Sequence, residues 1–215
     1  MMPAESDGMF LHASAAVVDG GAVLFLGHST AGKSTLVRLL AEIHPVLADD
    51  SVFVRPAGVS GWTAVAGGFR FEDSEMMNWS RASEKRRAAS ETAYPIRALM
   101  RLHKSRGLRT EAMDEVERAR CLMDAVLEID IQRRYGRPSS RPDGSAAGFA
   151  AGMKMRRIWF RQAAALARSC PGWRLWFSRG ESPAPLAETI GRLVSSVPAP
   201  EIGPENSCQS RHGAR

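Results

Sequence analysis

Two short apolar runs open the chain, FLHASAAVV at residues 10–18 and AVLFLG at residues 22–27, and the polar signal DGG separates them. Apolar runs of this length around an Asp-Gly turn are typical of a β-hairpin. Apolar residues then recur at helical spacing from Lys33 to about Ile43, and Pro45 ends that helix because the residue before a proline avoids the α conformation. The pattern therefore predicts strand, glycine-rich loop and helix in this order.

The rest of the pattern predicts more strands and helices in alternation. The predicted strands are 46–54, 63–69, 95–102 and 173–177, and the second of these is the hairpin partner of the first. The predicted helices are 110–132, 153–168 and 184–197. In the first of these helices Thr110 is the expected cap, and the expected apolar stripe is Met113, Val116, Met123, Val126 and Leu127. Residues 136–148, rich in Gly, Pro and Ser, are predicted to form a flexible loop.

Length and composition predict one domain. A chain of 215 residues with 44% hydrophobic content can bury one sizeable core, which we assign to residues 1–198. Residues 199–215 lack periodicity and are predicted to be a disordered tail. The first 25 residues contain no lysine or arginine, and no eighteen apolar residues follow one another, so we expect a cytoplasmic protein without a signal peptide or a membrane span.

Charge is distributed unevenly along the chain. Residues 1–80 contain 4 basic and 9 acidic side chains, whereas residues 131–179 contain 11 basic and 1 acidic side chain. Such a basic block suits nucleic acid, an acidic peptide, the phosphates of a nucleotide or simply solvent. No nucleic-acid-binding motif accompanies the arginines, so nucleic acid is the weaker hypothesis. The three cysteines lack metal-site spacing and are interpreted as reduced thiols.

The strongest motif is GHSTAGKS, which fits the phosphate-binding pattern GxxxxGK[ST] at each fixed position. In this motif backbone N–H groups surround the phosphates, the lysine reaches the β- and γ-phosphates, and the hydroxyl ligates Mg²⁺. We therefore predict that the nucleotide is bound by residues 27–35: Gly27, His28, Ser29, Thr30, Ala31, Gly32, Lys33, Ser34 and Thr35.

Two adjacent carboxylates, Asp49 and Asp50, follow one helix after this loop. Ionised carboxylates are costly to bury without a partner, so the strand that bears them is expected to present them to metal or to a reacting group. One Asp is expected near Mg²⁺, and the other is free to accept a proton from an attacking hydroxyl. His12 is a third candidate, because the predicted hairpin brings it near the loop, although a lone histidine is more often structural.

Together LHAS, GHSTAGKST and LADD resemble the kinase core of HPr kinase/phosphorylase, and more closely the small HPr-kinase-like proteins that phosphorylate modified peptides such as lasso peptides. The resemblance implies an α/β fold with the P-loop kinase core shared with phosphoenolpyruvate carboxykinase. It also implies that His12 lies beside the reacting phosphate, that Lys33 binds phosphate, that Ser34 and Asp49 serve the metal, and that Asp50 accepts the proton. No residue is identified as the later catalytic arginine of that family.

The sequence thus predicts an ATP- and Mg²⁺-dependent kinase that acts on a serine of a peptide or small protein. Whether the protein forms a homo-oligomer is left open. Two alternatives remain: a kinase of small hydroxyl compounds, and a nucleotide-binding regulatory module with little turnover. A transport or motor ATPase is disfavoured, because such proteins need a hydrophobic strand that ends in Asp-Glu far downstream or an LSGGQ signature, and neither is found.

Overall fold

The structure, a computed structural model, describes residues 8–58, 61–68, 92–135 and 146–198. The strands are β1 Met9–Leu11, β2 Ser14–Val18, β3 Gly21–Leu26, β4 Val46–Ala48, β5 Ser51–Ala57, β6 Gly61–Gly68, β7 Tyr94–Lys104, β8 Arg109–Ala112 and β9 Gly172–Phe177. The helices are α1 Lys33–Leu40, α2 Glu115–Tyr135, α3 Ala146–Ser169 and α4 Pro183–Ser195.

All nine strands belong to one mixed sheet. Its main path runs β1-β5-β6-β7-β3-β2-β4, and β9 pairs with both β7 and β8. Strand β7 lies parallel to β3 on one side and parallel to β9 on the other. Strand β2 is antiparallel to both β3 and β4, so β4 runs in the same direction as β3. The carboxyl ends of β3, β4, β7 and β9 therefore share one edge of the sheet.

Helices cover both faces of this sheet, which is the layered arrangement of the α/β class. Alternate side chains of β3 point to opposite faces: Leu24 and Leu26 join the core beneath α2 and α3, whereas Val23 and Phe25 join the core beneath α1 and α4. Because both faces are buried, all six residues of β3 are buried, which explains why its sequence is a continuous apolar run. The predicted α/β class is confirmed.

The predicted hairpin forms between β2 and β3, with Asp19 and Gly20 in its turn at φ 48° and 75°. Positive φ at both central residues is the geometry that Asp-Gly turns favour. The predicted strands at 95–102 and 173–177 and the predicted closing helix are likewise present as β7, β9 and α4. The run 10–18, however, breaks at His12 and Ala13, and the run 46–54 breaks at Asp49 and Asp50.

The predicted start of the helix over 110–132 was wrong. Thr110 lies in β8, where it pairs with Leu175 of β9, and therefore does not cap a helix. The cap is Asp114, whose carboxylate accepts a hydrogen bond of 2.8 Å from the backbone N–H of Glu117. The predicted apolar stripe was wrong in part as well. Val116 is 71% exposed, and the buried stripe of α2 includes Cys121, Leu122, Ala125, Val126 and Ile129.

The helix predicted from Met153 begins at Ala146, so the predicted loop at 136–148 overlaps it. Alanine is the strongest helix former, so the alanines at 146–151 extend the helix. They do not form the helical repeat of large apolar residues on which the prediction was based. Helix α1 ends at Leu40, and Ile43 is 48% exposed. Residues 136–145, the predicted tail and Cys208 lie outside the described residues. Among the described helices, none has the length and apolarity required to cross a membrane.

Candidate active site

Three separate segments of the chain meet at the carboxyl edge of the sheet. Strand β2 lies between β3 and β4, and its first residues, Ser14 and Ala15, pair with Phe25 near the end of β3 and with Ala48 at the end of β4. The Ser14 hydroxyl donates a 2.6 Å hydrogen bond to the backbone carbonyl of Asp49. The start of β2, the loop after β3 and the acidic pair after β4 are thus adjacent, although they are distant in sequence.

The loop after β3 has the backbone of a phosphate cradle. Positive φ angles occur at Gly27 (153°), Thr30 (73°) and Gly32 (102°). A Cβ at Gly27 would lie 2.8 Å from the Cβ of Ala31, and one at Gly32 would lie 3.0 Å from the ring of Phe177, so both positions require glycine. Because α1 begins at Lys33, directly after Gly32, the loop leads into a helix N-terminus, where N–H groups favour an anion.

Lys33 is held inside the cradle. Its side chain is buried, and its Nζ atom donates hydrogen bonds to the carbonyls of Gly27 (2.7 Å) and His28 (3.2 Å). The ammonium therefore lies over the same loop whose N–H groups would receive phosphate. Ser34 and Thr35, both half-buried, follow in the first turn of α1.

The two acids differ in environment. Asp49 is 2% exposed, whereas the side chain of Asp50 is 27% exposed. Their position between β4 and β5 explains this difference, because successive residues at a strand end point in opposite directions. The arrangement provides one buried carboxylate directly after β4, which pairs with β2, and one half-buried carboxylate that solvent can reach.

His12 lies between two carboxylates. Its Nδ1 is 3.6 Å from Oδ1 of Asp50, and its Nε2 is 3.5 Å from Oε1 of Glu128 on α2. Its backbone N–H donates a 3.0 Å hydrogen bond to the carbonyl of Ala125, also on α2. Because a carboxylate beside each ring nitrogen fixes the orientation of an imidazole, we assign Glu128 to the site. Neither motif nor spacing in the sequence indicated Glu128.

A small pocket of about 20 Å³ connects the cradle to α2. It is lined by Gly27, His28, Arg101, Cys121, Asp124, Ala125 and Glu128. Arg101 reaches this pocket because β7 pairs with β3 so that Arg101 is opposite Leu26, the residue before the cradle. The structure therefore places an arginine, Arg101, beside the cradle, where sequence alone could not identify one.

Arg101 is connected to a charged network behind the pocket. Glu117 accepts hydrogen bonds from Arg101 Nη1 (3.1 Å) and from Arg174 Nε (2.7 Å), and its second oxygen contacts Arg174 Nη2. The hydrogen bonds from Arg174, and secondarily from Arg101, lower the pKa of Glu117 below its ordinary value. Glu117 therefore stays ionised and orients both guanidinium groups.

The described cysteines are not placed as nucleophiles. Burial raises the pKa of the Cys121 thiol, although Cys121 lines the pocket, and burial raises the pKa of Cys170 to about 12. Thiols with raised pKa values are poor nucleophiles, because the reactive form is the thiolate. Acid–base chemistry at this edge thus falls to carboxylates and His12.

The residues fit a nucleotide with Mg²⁺. Mg²⁺ prefers oxygen ligands and is usually held by one or two carboxylates together with phosphates and waters. Ser34 in the first turn of α1 and Asp49 directly after β4 supply oxygen atoms at the same edge of the sheet as the phosphate cradle. Within the part of the chain that the structure describes, no group of three or more His, Cys, Asp or Glu side chains could hold a metal without such phosphates.

Fold and site together define a P-loop protein of the α/β class with an acid pair at the cradle. The chain belongs to the family of the SynChlorMet cassette protein ScmC, whose sequence profile matches residues 2–181. A solved structure, the HPr(Ser) kinase/phosphatase from Coxiella burnetii, is similar to the chain with a TM-score of 0.42 and 13% identity, over 87% of this chain and 95% of that chain. None of the curated proteins matches the chain. The link to lasso-peptide clusters stays a prediction.

Proposed function

We propose that this protein is an ATP- and Mg²⁺-dependent kinase that transfers the γ-phosphate to a serine hydroxyl of a peptide or small protein, such as a lasso or other modified peptide. The observation that carries the proposal is the meeting of the cradle, the acid pair and His12 at one sheet edge. A passive nucleotide binder needs the cradle alone. A half-buried carboxylate that solvent reaches, beside a buried imidazole, suits proton removal from an acceptor hydroxyl.

In this proposal the cradle residues 27–35 hold the phosphates of ATP. Lys33 contributes its positive charge to the β- and γ-phosphates, and Ser34 and Asp49 would hold Mg²⁺, which offsets the phosphate charge when it is bound. Lys33 is already fixed by two backbone carbonyls of the cradle, so its ammonium group needs little reorganisation to meet phosphate.

Asp50 is the proposed base. The acceptor oxygen forms a bond to the γ-phosphorus while the bond from that phosphorus to the bridging oxygen breaks, ADP departs, and the hydroxyl proton goes to a carboxylate oxygen of Asp50. His12 holds that carboxylate in position and is itself positioned by Glu128. The side chain of Asp50 is 27% exposed, so an acceptor can approach it from solvent.

The test is mass spectrometry of serine-containing peptides and small alcohols after incubation with the purified protein, Mg²⁺ and ATP. We expect a gain of one phosphoryl group, about 80 Da, on peptides with the wild-type protein and none with Asp50→Asn, while both proteins bind ATP. The matched control is Asp19→Asn, the same change in the β2–β3 turn, which should transfer normally. Transfer that survives Asp50→Asn would remove Asp50 from the mechanism.

The same experiment separates the alternatives. A mass gain on small alcohols but on no peptide would identify a kinase of small hydroxyl compounds. ATP binding without a mass gain on any acceptor would identify a regulatory module.

A further inference from the structure

A groove lies between α2 and α3, on a face of α2 next to the one that lines the pocket beside the cradle. We name it the α2–α3 groove and define it by Met123 and Leu127 of α2 and by Met153, Arg156, Arg157, Phe160 and Arg161 of α3. Its volume is about 400 Å³, far larger than that of the pocket beside the cradle. The groove thus has room for several side chains of a binding partner.

The groove is lined by apolar side chains and by arginines. Phe160 is 60% exposed and Met153 is 42% exposed, and both are among the few large apolar side chains that reach solvent in the described part of the chain. Between residues 153 and 161 the chain has four basic and no acidic side chains. Methionine adapts its shape to varied apolar partners, and arginine pairs readily with carboxylates. An occupant that matches this surface carries apolar and acidic side chains together.

Helix α2 places this groove next to the candidate active site. Met123 and Leu127 line the groove, whereas their neighbours Asp124 and Glu128 line the pocket at the cradle. Successive residues of a helix point about 100° apart, so the two sites lie on neighbouring faces of α2, and the helix with its side chains is about 10–12 Å across. About four extended residues span this distance.

We propose that the α2–α3 groove binds an amphipathic, acidic segment of the peptide substrate, and thereby holds the acceptor serine near Asp50. The proposal rests on the proposed kinase function for the identity of the occupant. In it, apolar side chains of the segment pack on Phe160 and Met153, and its carboxylates pair with Arg157 and Arg161. The segment is distinct from the acceptor and binds without ATP.

The shape of the groove favours a peptide over a membrane surface. Its apolar side chains come from two helices and line an open space between them, whereas a helix that lies on a membrane presents the apolar face of a single helix. The apolar side chains of the lining also disfavour nucleic acid, because its backbone binds chiefly through charge.

The test is fluorescence anisotropy with a labelled synthetic peptide in which leucines at helical spacing form one face and glutamates flank it. The matched peptide has lysine in place of each glutamate. We expect the acidic peptide to bind without ATP, and the lysine peptide to bind at least about tenfold more weakly. The double variant Arg157→Glu/Arg161→Glu should lose at least about tenfold in affinity for the acidic peptide and recover binding of the lysine peptide.

Two further variants make the result specific. Phe160→Ser should weaken both peptides, because it removes the apolar anchor, and Arg38→Glu, on the exposed face of α1, should leave both unchanged. All variants should bind ATP like the wild-type protein, which shows that they are folded. When the acidic peptide carries an acceptor serine on a short linker, the groove variants should raise KM for that substrate and leave kcat unchanged.

The outcomes separate this proposal from the proposed function. Peptide binding that depends on the groove supports the docking surface even when no phosphoryl transfer is detected. Transfer to serine peptides that is insensitive to the groove variants overturns the docking surface and leaves the kinase intact. Three other results would also overturn the docking surface. They are equal binding of both peptides, binding of anionic lipid vesicles in preference to the acidic peptide, and a dimer that Phe160→Ser dissociates.

Discussion

The nucleotide end of the molecule consists of the cradle, the acid pair and His12. It is built differently from the charge network of Arg101, Glu117 and Arg174. At the nucleotide end the groups that the sequence identified lie within residues 12–50, and each belongs to a short recognisable pattern. In the charge network, Glu117 accepts a hydrogen bond from Arg174, which lies 57 positions later in the chain, and no motif surrounds either residue. A backbone cradle must be encoded locally because its geometry depends on adjacent glycines. A charge network can be assembled from any residues that the sheet brings together.

The first prediction tests the locally encoded end and has the largest expected effect. Lys33→Met removes the ammonium that the cradle holds, and we expect phosphoryl transfer to fall about 100- to 1,000-fold, because the developing charge on the phosphates loses its fixed partner. Steady-state kinetics of ATP-dependent transfer measure this. Arg38→Met on the same helix is exposed and should be close to the wild type. Equal losses in both variants would contradict the assignment.

The second prediction concerns Glu128 of α2, whose Oε1 lies 3.5 Å from Nε2 of His12. Glu128→Gln keeps the shape of the side chain but removes its charge, so we expect kcat to fall about 10- to 100-fold with KM for ATP unchanged. Asp124→Asn is the matched control, since Asp124 lines the same pocket but is exposed. A purely structural role predicts lower thermal stability of Glu128→Gln with normal kcat instead.

The third prediction compares two candidate caps of α2. Asp114→Ala removes the acceptor of the Glu117 N–H hydrogen bond and should lower the free energy of unfolding by about 1 kcal/mol. Thr110→Ala, at the cap position that the sequence pattern favoured, changes a β8 residue and should not reproduce the loss of a helix cap. Denaturant unfolding followed by circular dichroism measures both. A larger effect at Thr110 would contradict the observed start of α2.

The fourth prediction is the dependence of stability on pH, which should be the smallest effect. The pKa of Glu117 is lowered below 4.5 in the folded protein, so its contribution to stability is present above pH 4.5 and is lost as the pH falls through the folded pKa. Glu117→Gln should therefore be less stable than the wild type near neutral pH, and the gap should narrow below pH 4.5. Glu115→Gln, at an exposed position of the same helix, should show no such narrowing.

Much of the fold could be predicted because its segments have distinct local patterns. The hairpin, the cradle and its helix, β7, β9 and α4 all have apolar periodicity or turn residues that specify them. The start of α2 could not be predicted, because strand β8 depends on pairing with β9, a distant segment. The beginning of α3 was missed because alanines supply helix propensity without an apolar period.

In the candidate site too, the residues that belong to local patterns could be predicted, and those that depend on tertiary contacts could not. Sequence alone identified the cradle, the acid pair and His12 as candidates, since each has a characteristic residue type at a characteristic spacing. It did not identify Glu128 or Arg101. Glu128 reaches His12 because α2 packs against β1, and Arg101 reaches the cradle through the register of β7 against β3.

The sequence by itself determined the chemistry that the protein carries: a phosphate loop whose glycines permit the required backbone angles, and two adjacent carboxylates one helix later. Only the tertiary structure decided how that chemistry is arranged. It brought the loop, the acids and His12 to one sheet edge, buried Asp49 while leaving Asp50 half-buried, and placed an apolar, cationic groove on a neighbouring face of α2. The physical reason is that backbone conformation follows from neighbouring residues, whereas burial and charge pairing follow from segments that meet only when the sheet has formed.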